Sequence, residues 1–149
     1  METDPDEEPQ FMRESTSAAG LRIFGDFAPE DISQLLGCSP NESYLKGESR
    51  TFKSGRVLTR KTSMWGLNAP DGKGDLDGQI SWILSQVTDD LAIWSHLSQN
   101  HSIDIFCGFF MGDFGTGFAL QVETMAALAS RKLVVEICLY RPIDDDPES

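Results

Sequence analysis

An α+β domain, with a mixed or antiparallel sheet covered by helices on one face, is what this sequence predicts, and three observations predict it. An apolar strand that leaves through Gly-Asp and leads into a short helix occurs twice, as Leu21–Phe27 into 28–37 and as Ile105–Phe114 into 120–128. Between the copies lies a long run with apolar residues at helical spacing. Strand-period alternation then closes the compact region, at Leu133 to Tyr140.

Each element is dictated by its residues. Leu21 to Phe27 reads as a strand, and Ala28-Pro29-Glu30-Asp31 as a helix entry, because proline is tolerated in a first turn and Glu30 and Asp31 suit the positive helix N-terminus. Ile32, Leu35 and Leu36 give that helix one buried face, and Gly37 ends it. From Tyr44 to Trp65 the polar, β-tolerant segments around Ser54-Gly55 predict a two-stranded hairpin. Asn68 to Asp75 is a loop, with Asp75 placed to cap the next helix. Leu76, Ile80, Ile83, Leu84, Val87, Leu91, Trp94 and Leu97 predict one helix over 76–97, with Trp82 and Ile93 widening its buried face. Ile103 to Met111 reads as a central strand, 112–117 as a loop, Gln121 to Arg131 as a helix and Leu133 to Tyr140 as a last strand. The first six elements have a ferredoxin-like βαββαβ order, and a helix and a strand are appended to it.

A chain of 149 residues that is 40% hydrophobic can bury a core without staples, so one domain is expected over 18–143. The flanks, 1–17 and 144–149, are acidic and poor in apolar groups and read as disordered tails. The formal net charge of −12 opposes nucleic-acid binding, since phosphate repels an acidic body. The tails hold ten of the 24 acids, so the body between them is only mildly acidic.

Cys38, Cys107 and Cys138 form no C-x-x-C pair and are odd in number, which fits a reduced, cytoplasmic setting with each thiol a small buried hydrophobe. His96 and His101 have no acidic or cysteine partner at zinc-ligand spacing, so no metal or cofactor is expected. The start of the chain has no basic, apolar leader, and no apolar run reaches the ~20 residues of a membrane span.

Several of these phrases together carry a resemblance. Leu21-Arg22-Ile23-Phe24-Gly25-Asp26-Phe27, the helix ending Leu35-Leu36-Gly37, Tyr44-Leu45-Lys46-Gly47, Trp65, the long amphipathic helix and the final Val135-Glu136-Ile137-Cys138-Leu139-Tyr140 resemble the bacterial family called domain of unknown function 4279. The resemblance covers roughly residues 20 to 141. It implies one small α+β domain of a bacterial cytoplasmic protein, and it imports no activity and no catalytic residue. Small domains of this kind also stand beside toxin genes as immunity proteins, which makes inhibition of a partner protein the associated expectation.

Three constellations bear on function. Lys46, Arg50, Lys53, Arg56, Arg60 and Lys61 face Glu48 alone within 46–61, a basic patch suited to a protein partner or an anion, or to keeping an edge hairpin soluble. Asp26 and Asp113 occupy equivalent strand ends and would form an acid–base pair or a small-ligand site if brought together. The glycine-rich 112–117 matches neither the dinucleotide fingerprint nor a phosphate loop, and reads as a turn. A protein-interaction module is therefore the leading expectation, and an enzyme or ligand binder built on Asp26 and Asp113 is the alternative. Nucleic acid ranks third, because one basic hairpin offers no platform of stacking rings.

Overall fold

The computed structural model describes residues 13–71, 74–113 and 117–142. The strands are β1 (Thr16–Gly25), β2 (Glu42–Tyr44), β3 (Ser49–Thr51), β4 (Val57–Thr59), β5 (Ser63–Asn68), β6 (Ser102–Phe110) and β7 (Val134–Tyr140). The helices are α1 (Pro29–Leu36), α2 (Leu76–Gln86), α3 (Leu91–Asn100) and α4 (Val122–Ser130). Five strands form one mixed sheet in the order β2-β5-β1-β6-β7, and β3 and β4 form a separate hairpin.

β1 is the axis of this sheet. It pairs antiparallel with β5 on one side, with Leu21 opposite Leu67, and with β6 on the other, with Leu21 opposite Ile105. Strand pleating sends alternate residues to opposite faces. Ala19, Leu21 and Ile23 of β1 therefore share one face with Trp65 and Leu67 of β5 and with Ile105, Cys107 and Phe109 of β6, all buried. The helices cover this face. Ile32 and Leu36 of α1, Ile80, Ile83 and Leu84 of α2, Trp94 and Leu97 of α3 and Leu128 of α4 complete one continuous core. β7 joins in parallel beside β6 through α4, which supplies the long crossover that a parallel pair requires.

The α+β class and the one-sided helical cover are as expected, and the element order is interrupted at two places. The expected hairpin between Tyr44 and Trp65 exists at its tip, around Gly55 with φ +86°, as β3 and β4. Its outer ends pair with each other too, Ser43 of β2 opposite Trp65 of β5 and Tyr44 opposite Met64, in the antiparallel register that β3 and β4 continue. What local pattern does not show is that this outer pair joins the main sheet through β5, where Ser63 to Leu67 is buried on both faces.

The single helix expected over 76–97 is two. Val87 is extended (φ −113°, ψ 165°) at the end of α2, and the Asp90 carboxylate accepts from the Ala92 amide to open α3. Thr88, Asp89 and Asp90 are residues whose side chains compete for backbone groups and favour caps over helix interiors. The freed Thr88 amide donates to the Leu36 carbonyl, and the Thr88 carbonyl accepts from Trp94 Nε1, so the break is stitched to α1 and to the core. Trp82 and Ile93 are partly buried against that core, as expected.

The first strand begins at Thr16, five residues before the expected start, and residues 13–17 are held to the domain. The Gly112 amide donates to Ser15 Oγ (2.9 Å), and a Cβ on Gly112 would stand 2.2 Å from the Arg13 carbonyl oxygen. Glycine is what lets the two backbones touch there. The remainder of the expected tails, 1–12 and 144–149, the last residue of the expected domain, 143, and the centre of the glycine-rich loop, 114–116, lie outside the described residues.

One packing contact makes stability depend on pH. The His101 ring lies on Gly25, whose added Cβ would fall 2.3 Å from Nδ1, and Phe27 meets it edge-on at 5.1 Å. Burial first, and the neighbouring His96 second, lower the His101 pKa below its ordinary 6.5. The folded chain thus resists a proton that the unfolded chain accepts. The contribution is complete above pH 6.5 and is lost as pH falls below it toward the lowered folded value. Thermal melting of His101→Phe should accordingly fall less than wild type between about pH 7.5 and about pH 5.5. Parallel slopes would show that His101 is not the group responsible.

Candidate functional site

Two exposed regions carry chemistry. The first is the β3–β4 arm. The Lys46 amide donates to Ser63 Oγ (2.9 Å), which ties the base of the arm to β5, and the ladder continues below β3 and β4 through Gly47 N–H to the Arg60 carbonyl and Arg60 N–H to the Glu48 carbonyl. None of the residues from 45 to 62 is buried, so the arm adds nothing to the core.

Register decides which cations act together. Arg50 lies opposite Leu58, Phe52 opposite Arg56 and Glu48 opposite Arg60, so Arg50, Arg56 and Arg60 share one face of the arm. Arg50 lies over the Phe52 ring (5.0 Å) and Arg60 over the Tyr44 ring (4.1 Å). These stacks hold the guanidinium planes in place while their edges stay available as donors. Lys53 sits in the turn and Lys61 just past β4, both exposed, and Lys46 forms an ion pair with Asp26 at 3.4 Å. Of the six basic residues expected to act as a patch, three arginines are thus brought onto one face.

The second region is the sheet face that, among the described residues, no helix covers. Arg22 occupies its centre, donating to both Asp104 oxygens (2.9 and 2.7 Å) and lying 3.5 Å from Glu136. Its guanidinium is stacked against Phe106 (4.4 Å) and Phe24 (5.4 Å). The hydrogen bond to Asp104 is the leading cause that raises the Arg22 pKa above its usual value. Beside it, small residues Ala18, Gly20 and Gly108 floor a recess of about 170 Å³, walled by Asn68, Phe106 and the stacked rings of Phe110 and Tyr140 (4.8 Å). This centre was not among the sequence candidates. Its trace is a polar residue in the middle of two apolar strands, Arg22 between Leu21 and Ile23 and Asp104 between Ile103 and Ile105.

Asp26 and Asp113 are not brought together. Both come after strands that are neighbours, β1 and β6, yet the pair is antiparallel. The two strand ends therefore lie at opposite ends of the β1–β6 pair, about 30 Å apart for a ten-residue strand. Asp26 is 81% exposed in its ion pair with Lys46. Asp113 accepts from the Arg13 guanidinium (3.0 Å) and main chain, which lower its pKa. Each carboxylate holds a cation, and no shared acid–base site forms.

The cysteines are free and separate, and burial pushes the Cys107 thiol up to about 11, far from a reactive thiolate. Among the described residues no cluster of His, Cys, Asp and Glu could hold a metal, and no helix is long and apolar enough to cross a membrane.

The Arg22–Asp104 pair is bidentate and part-buried, so breaking it should register in stability. Arg22→Met is expected to cost about 1–3 kcal/mol in denaturant unfolding, and Arg22→Met with Asp104→Leu less than the two single changes summed. Additive losses would show that the pair is not coupled.

Comparison with curated proteins finds no match, and comparison with solved structures finds none. A family model described as a domain of unknown function matches residues 14–142, which spans the domain from the segment that packs on Gly112 to the end of β7. The chain therefore belongs to the DUF4279 family of domains of unknown function.

Proposed function

We propose that this domain is a cytoplasmic protein-interaction module of a bacterium, acting as an immunity-type inhibitor that engages its partner through the β3–β4 arm. The observation that carries the reading is the arm itself. It is a stretch of 18 residues, 45–62, of which none is buried, and it presents three arginines on one face. A segment that contributes nothing to the core and concentrates cations against an acidic chain is suited to recognition rather than to folding.

The arginine face is also prepared for contact. Two of its three guanidinium groups, Arg50 and Arg60, lie over Phe52 and Tyr44, so those two have little side-chain freedom left to lose on binding. The partner surface that fits is one of carboxylates, which arginine recognises through paired donors. The net charge of −12 on the whole chain would steer a partner whose other regions are cationic. The free cysteines Cys38, Cys107 and Cys138 fit a reducing compartment.

A pull-down from the source cell tests this reading. A stoichiometric, salt-sensitive protein complex is expected, and replacing Arg50, Arg56 and Arg60 together by Glu should weaken it at least about tenfold while leaving the melting temperature near wild type. A complex indifferent to the triple change would remove the arm from the interface. Salt-sensitive binding of oligonucleotides by the arm, with no protein complex, would replace this reading by a nucleic-acid one.

A further inference from the structure

The two edges of the five-stranded sheet are unlike. β2, at one edge, has three residues and is flanked by Pro40 and the arm, so it offers little backbone for pairing. β7, at the other, has seven residues in the sequence VVEICLY and bonds on one side only, to β6. Among the described residues nothing pairs with its outer edge. The strand has few of the features that protect an edge: it contains no Lys, no Pro and no Gly, and its one charge is Glu136. Apolar groups stand exposed on both of its faces, Val134 (64%) and Tyr140 (43%) beside the open face, Ile137 (36%) and Leu139 (64%) beside the helices.

We infer that β7 is a self-association edge, at which a second copy of this chain adds its own β7 in antiparallel register about a two-fold axis through Ile137. That register is self-complementary. Ile137 meets Ile137 of the other copy, Val135 meets Leu139, and Val134 meets Tyr140, so apolar groups oppose apolar groups on both faces. Glu136, the single charge in the strand, faces Cys138 of the other copy and is already held by its own Arg22 at 3.5 Å. No like charges are opposed.

The closed two-fold pair would join two sheets into one of ten strands with the arms at its far ends.

Sedimentation of the full chain over a concentration series tests this. Wild type should form a dimer, and Ile137→Lys, which sets two cations against each other on the axis, should raise the dimer dissociation constant at least about tenfold. Ile137→Glu should do the same, and mixing the two variants should restore a dimer, which also shows that both remain folded. A wild-type chain that stays monomeric at high micromolar concentration overturns the inference. So does a dimer that survives both substitutions. A monomer whose β7 amides are nevertheless protected from hydrogen exchange overturns it too, by showing that another segment of the same chain covers the edge.

Discussion

The seating of β1 between β5 and β6 is the constraint on which the other parts depend. Because the strand is antiparallel to both neighbours, one register sets two surfaces at once. Leu21 and Ile23 point into the core with no exposed surface, and they bring Trp65, Ile105 and the helices onto the same side. Arg22, one residue away, is thereby placed on the opposite side, directly across from Asp104 on β6 and Gly66 on β5. A slip of one residue would bury Arg22 without its carboxylate and expose Leu21, so the ion pair and the core enforce the same register.

The two faces of that sheet are used differently. On the helical side, buried volume is shared among α1, α2, α3 and α4, and the break at Val87–Asp90 lets α2 and α3 track the twisted sheet as two segments. On the open side, small residues at Gly20 and Gly108 leave a shallow recess beneath Phe110 and Tyr140. The arm extends this open side, since Arg60 reaches back over Tyr44 at the end of β2. The arm's arginines and Arg22 therefore lie at one side of the molecule and its packing groups at the other.

Much of this was legible in the residues. The spacing of Ile80, Ile83 and Leu84 and of Trp94 and Leu97 identified the helical faces that are in fact buried. The phrase of strand, Gly-Asp exit and helix identified β1 with α1 and β6 with α4. What misled was local pattern where long-range packing decides. Tyr44 and Trp65 read as two ends of one hairpin and their strands do pair, but local pattern did not show that the pair is built into the main sheet, where Trp65 is buried with its Nε1 donating to Ser33 Oγ. Asp26 and Asp113 read as equivalent, but antiparallel pairing of their strands sends them to opposite ends.

By itself the sequence determined the α+β class, most element positions, the membership in one family and the concentration of positive charge within 46–61. These are local quantities, carried by hydrophobic period, turn residues and charge along a few consecutive positions. Only the tertiary structure decided that three of those cations share a face, that Arg22 meets Asp104 82 positions away, and that β7 has no strand on its outer side among the described residues. Such facts depend on strand order and register, and these are set by which apolar faces can be buried together across the whole chain rather than by any one segment of it.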